Sequence, residues 1–201
     1  MWTSLLLTVA LLTAEAQRPE VLDRVMAVVN SGNMKKVITL SDLRKEREVQ
    51  AVLGVELPTD EDALKFLIER YLVEDQMIQF SGIEPSEQEI EQRLQEVSNP
   101  HGVDPAAVRE AAASELKRLK FLELRFGQFI HPTDEELKEY YDTEFVPAAR
   151  KQGGEPLPFD RAMQLPDIAK RLRDTVTDLK LHQEVDTWLK AIKERSEIEI
   201  F

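Results

Sequence analysis

The residue types that most often carry enzyme chemistry are few in this chain and lie far apart. Its three histidines are His101, His131 and His182, and none belongs to an H-E-x-x-H or H-x-x-E-H motif. The chain has no cysteine, so it has neither a thiolate nucleophile nor a cysteine-type zinc site. Its serines lack the G-x-S-x-G context of a nucleophile elbow. These residues predict no catalytic site and no metal site.

Glycine spacing and net charge exclude two further classes of function. The seven glycines form neither G-x-G-x-x-G nor G-x-x-x-x-G-K-[ST], so we predict no nucleotide cofactor. Acidic residues outnumber basic residues by 38 to 26, which gives a formal net charge of −12. Nucleic-acid binders need a basic surface, so a nucleic-acid partner is not expected. With 201 residues, 42% of them hydrophobic, the chain can form one folded domain, or a domain with an appendage.

The start of the chain has the pattern of an export signal. Leu5 to Leu12 is an apolar run that is too short to span a bilayer, which takes about 20 residues. Ala14-x-Ala16 follows it and resembles a signal cleavage site. We therefore predict a signal peptide over 1–16 and an exported chain over 17–201 without stable membrane insertion. No Lys or Arg precedes the run, and a buried N-terminal helix is the alternative.

Turn and capping residues divide the exported chain into a hairpin followed by helices. Strands are predicted at 21–29 and 37–39, around a turn at 30–33, and a terminal strand at 198–201. Five helix starts are predicted from capping residues, namely Ser41, Thr59, Ser86, Asp104 and Thr133. The helices are expected to end near 53, 80, 98, 129 and 141, and a last helix spans 167–195. Four prolines and two glycines make 146–166 an irregular linker.

Two of these helices are apolar on more than one face. The main stripe of the second helix consists of Leu64, Leu67, Ile68, Tyr71, Leu72 and Ile78, and its second stripe of Phe66, Val73, Met77 and Phe80. In the long helix the main stripe consists of Val108, Ala111, Ala112, Leu116, Leu119, Leu122, Phe126 and Phe129. Phe121 and Leu124 lie outside it. The extra residues either pack in the core or line an apolar groove for another chain.

The last helix changes its apolar face halfway along. Ile168, Leu172, Val176 and Leu179 lie on one side, whereas Leu181, Val185, Trp188 and Ile192 lie on the other. At about 100° per residue the two sets differ by roughly 180°. The helix therefore either breaks near Lys180 or packs its halves against two different parts of the molecule.

The ordered set of motifs resembles the SurA-like family of periplasmic chaperones and prolyl isomerases. The first hairpin and helix fit a "D-x-V-x-A-V-V-N … I-T-x-S-[DE]-L" pattern through Asp23, Val25, Ala27, Val28, Val29, Asn30, Ile38, Thr39, Ser41, Asp42 and Leu43. The next stretch matches the family through Leu67, Ile68, Leu72, Gln76, Gly82, Ile83, Glu89 and Ile90. The segments 133–145 (TDEELKEYYDTEF) and 186–201 (DTWLKAIKERSEIEIF) resemble the helix before the isomerase domain and the closing helix and strand.

The chain departs from two-function members of this family at one place. In those relatives a parvulin-type isomerase domain separates the Tyr-Tyr helix from the closing helix. Here about twenty residues, 145–165, lie between them, whereas a domain needs at least ~50. The resemblance therefore implies the chaperone module alone: 17–145 for the hairpin and helices, 146–166 as a linker in place of the isomerase domain, and 167–201 for the closing helix and strand.

The resemblance also implies a fold and a function. The fold is mainly α, a helical bundle with a small antiparallel sheet in which the terminal strand pairs with the N-terminal hairpin. The function is that of an ATP-independent periplasmic holdase, without isomerase activity or cofactor, that binds unfolded envelope or outer-membrane protein precursors. Candidate client-binding residues are the off-stripe apolar positions Phe66, Met77, Phe80, Phe121 and Leu124.

Three alternatives stay open at this point. One is a structural or adaptor protein with a single dedicated envelope partner. Another is a minimal prolyl isomerase, for which Tyr140, Tyr141 and His131 are the available groups. The third concerns assembly: exposed strand edges invite pairing, so a swapped homodimer through the terminal strands is an alternative to a monomer.

Overall fold

The computed structural model describes residues 23–97 and 102–201. The predicted signal peptide, 1–16, and the turn residues 99–101 lie outside the described residues. Within the described ranges, none of the helices combines the length and the hydropathy that crossing a membrane requires.

Both ends of the described chain meet in one small antiparallel sheet. Strands β1 (Val25–Asn30), β2 (Lys35–Thr39) and β3 (Glu197–Ile200) are arranged in the order β2-β1-β3. The register pairs Ala27 with Ile38 on one side and with Ile200 on the other. Ala27, Val29 and Ile38 face the helices and are buried. The predicted hairpin and its pairing with the terminal strand are both confirmed.

The rest of the described chain is mainly helical, as predicted. The helices are α1 (Leu40–Val52), α2 (Asp60–Met77), α3 (Glu87–Gln95), α4 (Pro105–Phe126), α5 (Asp134–Tyr140), α6 (Val146–Lys151), α7 (Phe159–Ala162) and α8 (Pro166–Arg195). A 3₁₀ turn at Gly127–Phe129 follows α4, and a π-helical turn at Tyr141–Phe145 follows α5. Because α2 ends at Met77, Ile78 leaves the predicted core stripe and is exposed.

Most helix starts follow the predicted capping chemistry. Thr59, Ser86 and Thr133 each form a capping box with the acidic residue three positions later. The prediction that Ser41 caps the first helix is wrong. Thr39 is the N-cap, because its side chain accepts from the Asp42 amide while the Asp42 carboxylate accepts from the Thr39 amide at 2.8 Å. Ser41 lies within the first turn of α1.

The core of the described chain comprises four clusters, and buried residues of α8 belong to two of them, a central part and an outlying part. The central part joins the inner face of the sheet to Leu67 and Leu72 of α2 and to Ile192 near the end of α8. The outlying part joins α5, α7 and the first half of α8, where Leu172 is buried. Helix α8 is continuous from Pro166 to Arg195, so of the two alternatives for its change of apolar face the break near Lys180 does not occur. The other alternative is confirmed, because its two halves pack against different parts of the molecule.

The segment 146–166 is more ordered than the predicted linker. It contains α6 and α7, and Ala162 is fully buried in the outlying core. The Tyr141 hydroxyl donates a hydrogen bond to the Leu157 carbonyl, and the rings of Tyr141 and Phe159 meet edge to face at 5.6 Å. These contacts between distant residues hold the proline-rich segment against α5 and α8.

The Glu89 carboxylate of α3 pairs with Lys120 of α4, and its titration should change the free energy of unfolding. Hydrogen bonds from Lys120 and Ser86 hold the pKa of Glu89 at about 2, below its usual 4.5. A carboxylate with a lowered pKa in the folded state stabilises the fold fully above its unfolded pKa. This contribution is lost as the pH falls from about 4.5 towards about 2.

We therefore expect Glu89→Gln to lower the free energy of unfolding at neutral pH. Between about pH 4.5 and pH 2 the unfolding free energy of the variant should fall less than that of the wild type. Glutamine retains the capping reach to Ser86 but not the charge that attracts Lys120. The measurement is urea unfolding of both proteins at a series of pH values, with Lys120→Met as a second route to the same loss. Parallel curves for wild type and Glu89→Gln at every pH would contradict the expectation.

Candidate functional site

The most apolar cleft described lies between the second half of α4 and the middle of α8. It has a volume of about 800 Å³, within the range of ligand-binding clefts. Five aliphatic side chains form most of its wall, namely Leu119, Leu122, Leu124, Leu181 and Val185. Leu119 and Leu124 are about half exposed, so this α4–α8 groove opens onto the surface.

The groove exists because α4 carries apolar residues on more than one face. Phe121 points into the core, where its ring meets Phe80 edge to face at 4.9 Å and lies 5.8 Å from the Trp188 ring. Leu122 packs beside this cluster, whereas Leu119 and Leu124 are left exposed. Their counterparts on α8 are Leu181 and Val185, which lie where that helix passes from the outlying core to the central core.

Few polar groups line the groove, and none forms a reactive pair. Glu123, Gln128, Thr177 and His182 contribute the polar part of the wall. The Nδ1 atom of His182 lies 2.7 Å from the Asp178 carbonyl oxygen, one turn earlier on its own helix. Among the described residues, no group of three or more His, Cys, Asp or Glu side chains is placed to hold a metal ion. The groove can therefore bury apolar groups.

The five candidate binding residues do not form one surface. Phe121 is fully buried and Met77 is nearly so, which makes both core residues. Phe80 packs on Phe121 and, with Met77, borders a separate cleft of about 500 Å³. The Arg118 guanidinium lies over the ring of Phe66, with its central carbon 5.7 Å from the ring centre. Leu124 alone of the five lines the α4–α8 groove.

Sequence reasoning missed the other four leading residues of the groove. Leu119 and Leu122 belong to the main stripe of the long helix, yet both line the groove and Leu119 is exposed. The change of apolar face along the last helix did contain a signal for Leu181 and Val185. It placed them opposite Leu172 and Val176, and therefore away from the outlying core.

A second cleft, between β2, α1, α2 and α4, is lined mostly by polar and charged side chains. The Arg70 guanidinium contacts the Glu46 carboxylate at 2.5 Å and Glu74 at 3.6 Å, and Gln50 donates to Glu46 at 2.9 Å. Burial lowers the pKa of Arg70, but the two carboxylates outweigh burial and leave that pKa raised. Because the inner charges Arg70, Glu46 and Glu74 pair with one another, we assign these three side chains a structural role.

The groups considered for a minimal isomerase are not assembled into a site. Tyr141 is buried in the outlying core and its hydroxyl is committed to the Leu157 carbonyl. Burial raises the pKa of that hydroxyl. His131 is exposed, and its backbone carbonyl accepts a hydrogen bond from Lys180 at 3.1 Å. No geometry here links these side chains to one substrate position.

Comparison with protein-family models and with curated proteins finds no match for this chain. Only the groove and the sequence motifs therefore bear on its function.

Proposed function

We propose that this protein is an ATP-independent holdase that binds unfolded polypeptide segments in the α4–α8 groove. In this proposal it acts in the periplasm, on extended apolar and aromatic segments of envelope proteins, outer-membrane precursors among them. It needs no cofactor and has no prolyl isomerase activity.

The observation that carries the proposal is an open groove walled by leucine and valine side chains. Burial of apolar surface stabilises a complex by about 25 cal/mol per Å² and has no directional requirement. A groove of this kind therefore accepts many sequences, which suits a chaperone better than a receptor for one ligand. The acidic chain, with a net charge of −12, would keep such a complex soluble.

The motif resemblance supports the cellular setting of the proposal. The hairpin, the capped helices and the closing helix and strand occur in the order expected for a SurA-like chaperone module. The sheet that joins both ends of the described chain agrees with that architecture. The predicted signal peptide would direct the chain to the periplasm, where ATP is not available to drive client release.

The test is light scattering by an unfolded outer-membrane protein diluted from denaturant, with and without the exported chain. We expect suppression of aggregation at near-stoichiometric ratios. Leu119→Ser combined with Leu124→Ser should require roughly tenfold more protein for the same suppression, since about 1.4 kcal/mol of lost binding energy is a factor of ten. A proline-peptide isomerisation assay on the same samples should show no acceleration.

The matched control is Leu157→Ser combined with Leu165→Ser. These leucines are 46% and 43% exposed, against 53% and 47% for Leu119 and Leu124, but they lie outside the groove. Both double variants therefore lose a similar amount of exposed apolar surface. Equal impairment by the two would show that general hydrophobicity, not the groove, is responsible. No suppression by the wild type would refute the proposal and favour a protein with one dedicated partner.

A further inference from the structure

Strand β3 leaves one edge of the sheet unpaired within residues 23–97 and 102–201. It pairs with β1 on its inner side only, and the Phe201 amide donates to the Met26 carbonyl at 3.0 Å. In an antiparallel pair, successive residues direct their backbone groups alternately to the two sides. The register therefore assigns the amides and carbonyls of Ile198 and Ile200 to the outer edge. A further strand could bond to these groups.

The side chains of β3 are sorted by face. Ile198 and Ile200 stand opposite Val29 and Ala27, on the face that covers the core, and Ile200 is 65% exposed at the margin of that core. Glu197 and Glu199 occupy the other face and are exposed. A strand added here would complete the core with apolar residues on one face and would meet two carboxylates on the other.

We propose that the outer edge of β3 binds an extended polypeptide segment in which Lys or Arg alternates with an apolar residue. The backbone groups of Ile198 and Ile200 supply the ladder hydrogen bonds, as in other cases of strand addition. Apolar residues of the segment extend the core past Ile200. Its basic residues lie opposite Glu197 and Glu199, where cross-strand pairs of opposite charge are favourable.

A second copy of this chain suits the same edge poorly. Suppose two copies pair antiparallel about a two-fold axis, with Ile198 of each copy bonded to Ile200 of the other. Glu199 of one copy then lies directly opposite Glu199 of the other. Like charges in directly opposed positions destabilise a strand pair. Acidic residues at this edge therefore discourage self-association, a common protection of edge strands, and at the same time select a basic partner strand.

The experiment measures fluorescence anisotropy of a short labelled peptide that alternates Lys and Val. We expect saturable binding to the protein, and no comparable binding by a Glu–Val peptide or by a peptide with its Lys and Val residues in separate blocks. Methylation of the peptide amides that face the edge should abolish binding. Equal binding of the methylated and unmethylated peptides would overturn the proposal.

Two sets of variants locate the site. Glu197→Lys combined with Glu199→Lys should weaken the Lys–Val peptide about tenfold or more and reverse the preference towards the Glu–Val peptide. Ile200→Pro removes an outward amide and breaks no β1–β3 hydrogen bond, because the Ile200 amide faces away from β1. Proline is tolerated at such edge positions. It should bind far less than Ile200→Ala, which retains that amide. A melting curve for each variant confirms that it is folded.

Two outcomes would assign the edge to another occupant and refute the proposal. A peptide-independent dimer abolished by Ile200→Pro would show that a second copy occupies the edge. Binding that appears only after removal of residues 1–22 would show that this part of the chain covers it. Peptide binding at the β3 edge does not depend on the groove. Leu119→Ser with Leu124→Ser should therefore leave it unchanged, and failure of the holdase assay can be distinguished from failure of peptide binding.

Discussion

Arg70→Met is expected to lower the free energy of unfolding by about 3–5 kcal/mol, the usual effect of removing one partner of a buried ion pair. The side chains of Arg70 and Glu46 are both largely buried and lie 2.5 Å apart. Without the guanidinium, the Glu46 carboxylate keeps only the hydrogen bond from Gln50. The measurement is the urea unfolding midpoint and slope of both proteins at neutral pH.

The double variant Arg70→Met with Glu46→Leu is the control for this interpretation. It removes both charges, and replacing a buried pair with apolar residues is often close to neutral. We therefore expect the double variant to be more stable than Arg70→Met alone. If both are equally unstable, packing by the arginine side chain, not pairing of charge, explains the loss. If Arg70→Met lies within about 1 kcal/mol of wild type, the pair contributes little.

The charge network has a positional role that concerns the groove. Glu46 belongs to α1 and Arg70 to α2, while Ser114 of α4 donates to Glu74 at 3.3 Å. These bonds join α4 to α2 and α2 to α1. Since α4 also provides one wall of the α4–α8 groove, its placement determines which of its apolar faces is covered and which is left open.

Local sequence signals predicted where most of the capped helices start. A hydroxyl followed three residues later by an acidic residue satisfies two backbone amides through contacts within one turn. Thr59, Ser86 and Thr133 therefore needed no knowledge of the tertiary fold. The one error, at Ser41, arose where two hydroxyl residues compete. The T-x-x-D spacing of Thr39 forms the complete capping box, and that spacing was present in the sequence.

Burial on α4 was not predictable in the same way. The helix carries apolar residues on most of its surface, and its periodicity alone does not indicate where neighbouring helices lie. The sequence placed Leu119 in the main stripe and left Phe121 open between the core and a groove, whereas in the structure Phe121 is fully buried and Leu119 is exposed. The reason is tertiary: Phe80 and Trp188, which are distant in sequence, converge on the side of Phe121.

The order of the proline-rich segment 146–166 was likewise not predictable from local sequence. Its composition indicated an irregular linker, because proline and glycine usually interrupt regular structure. The order observed there depends on Tyr141, whose hydroxyl bonds to Leu157, and on Ala162, which packs beside Leu172. Such contacts depend on partners that are brought close only once α5 and α8 are in place.

Phe121→Ala is expected to cost about 3–5 kcal/mol of unfolding free energy, as for other buried aromatic residues replaced by alanine. The Phe121 ring is fully buried between Phe80 and Trp188, so its loss leaves a cavity lined by aromatic rings. Domains are commonly stable by only about 5–15 kcal/mol, so this is a large fraction of the total. Urea unfolding measures it, with Leu124→Ala as the partner variant.

Leu124→Ala should change stability by less than about 0.5 kcal/mol, since its side chain is half exposed. The pair of variants thereby separates two roles that the sequence could not distinguish. Assayed at a temperature where both are folded, Phe121→Ala should retain its suppression of client aggregation, and Leu124→Ala should lose part of it. The opposite result, a stable Phe121→Ala protein that no longer holds clients, would mean that the client site lies beside Phe80 and Phe121 and that the α4–α8 groove is not the binding surface.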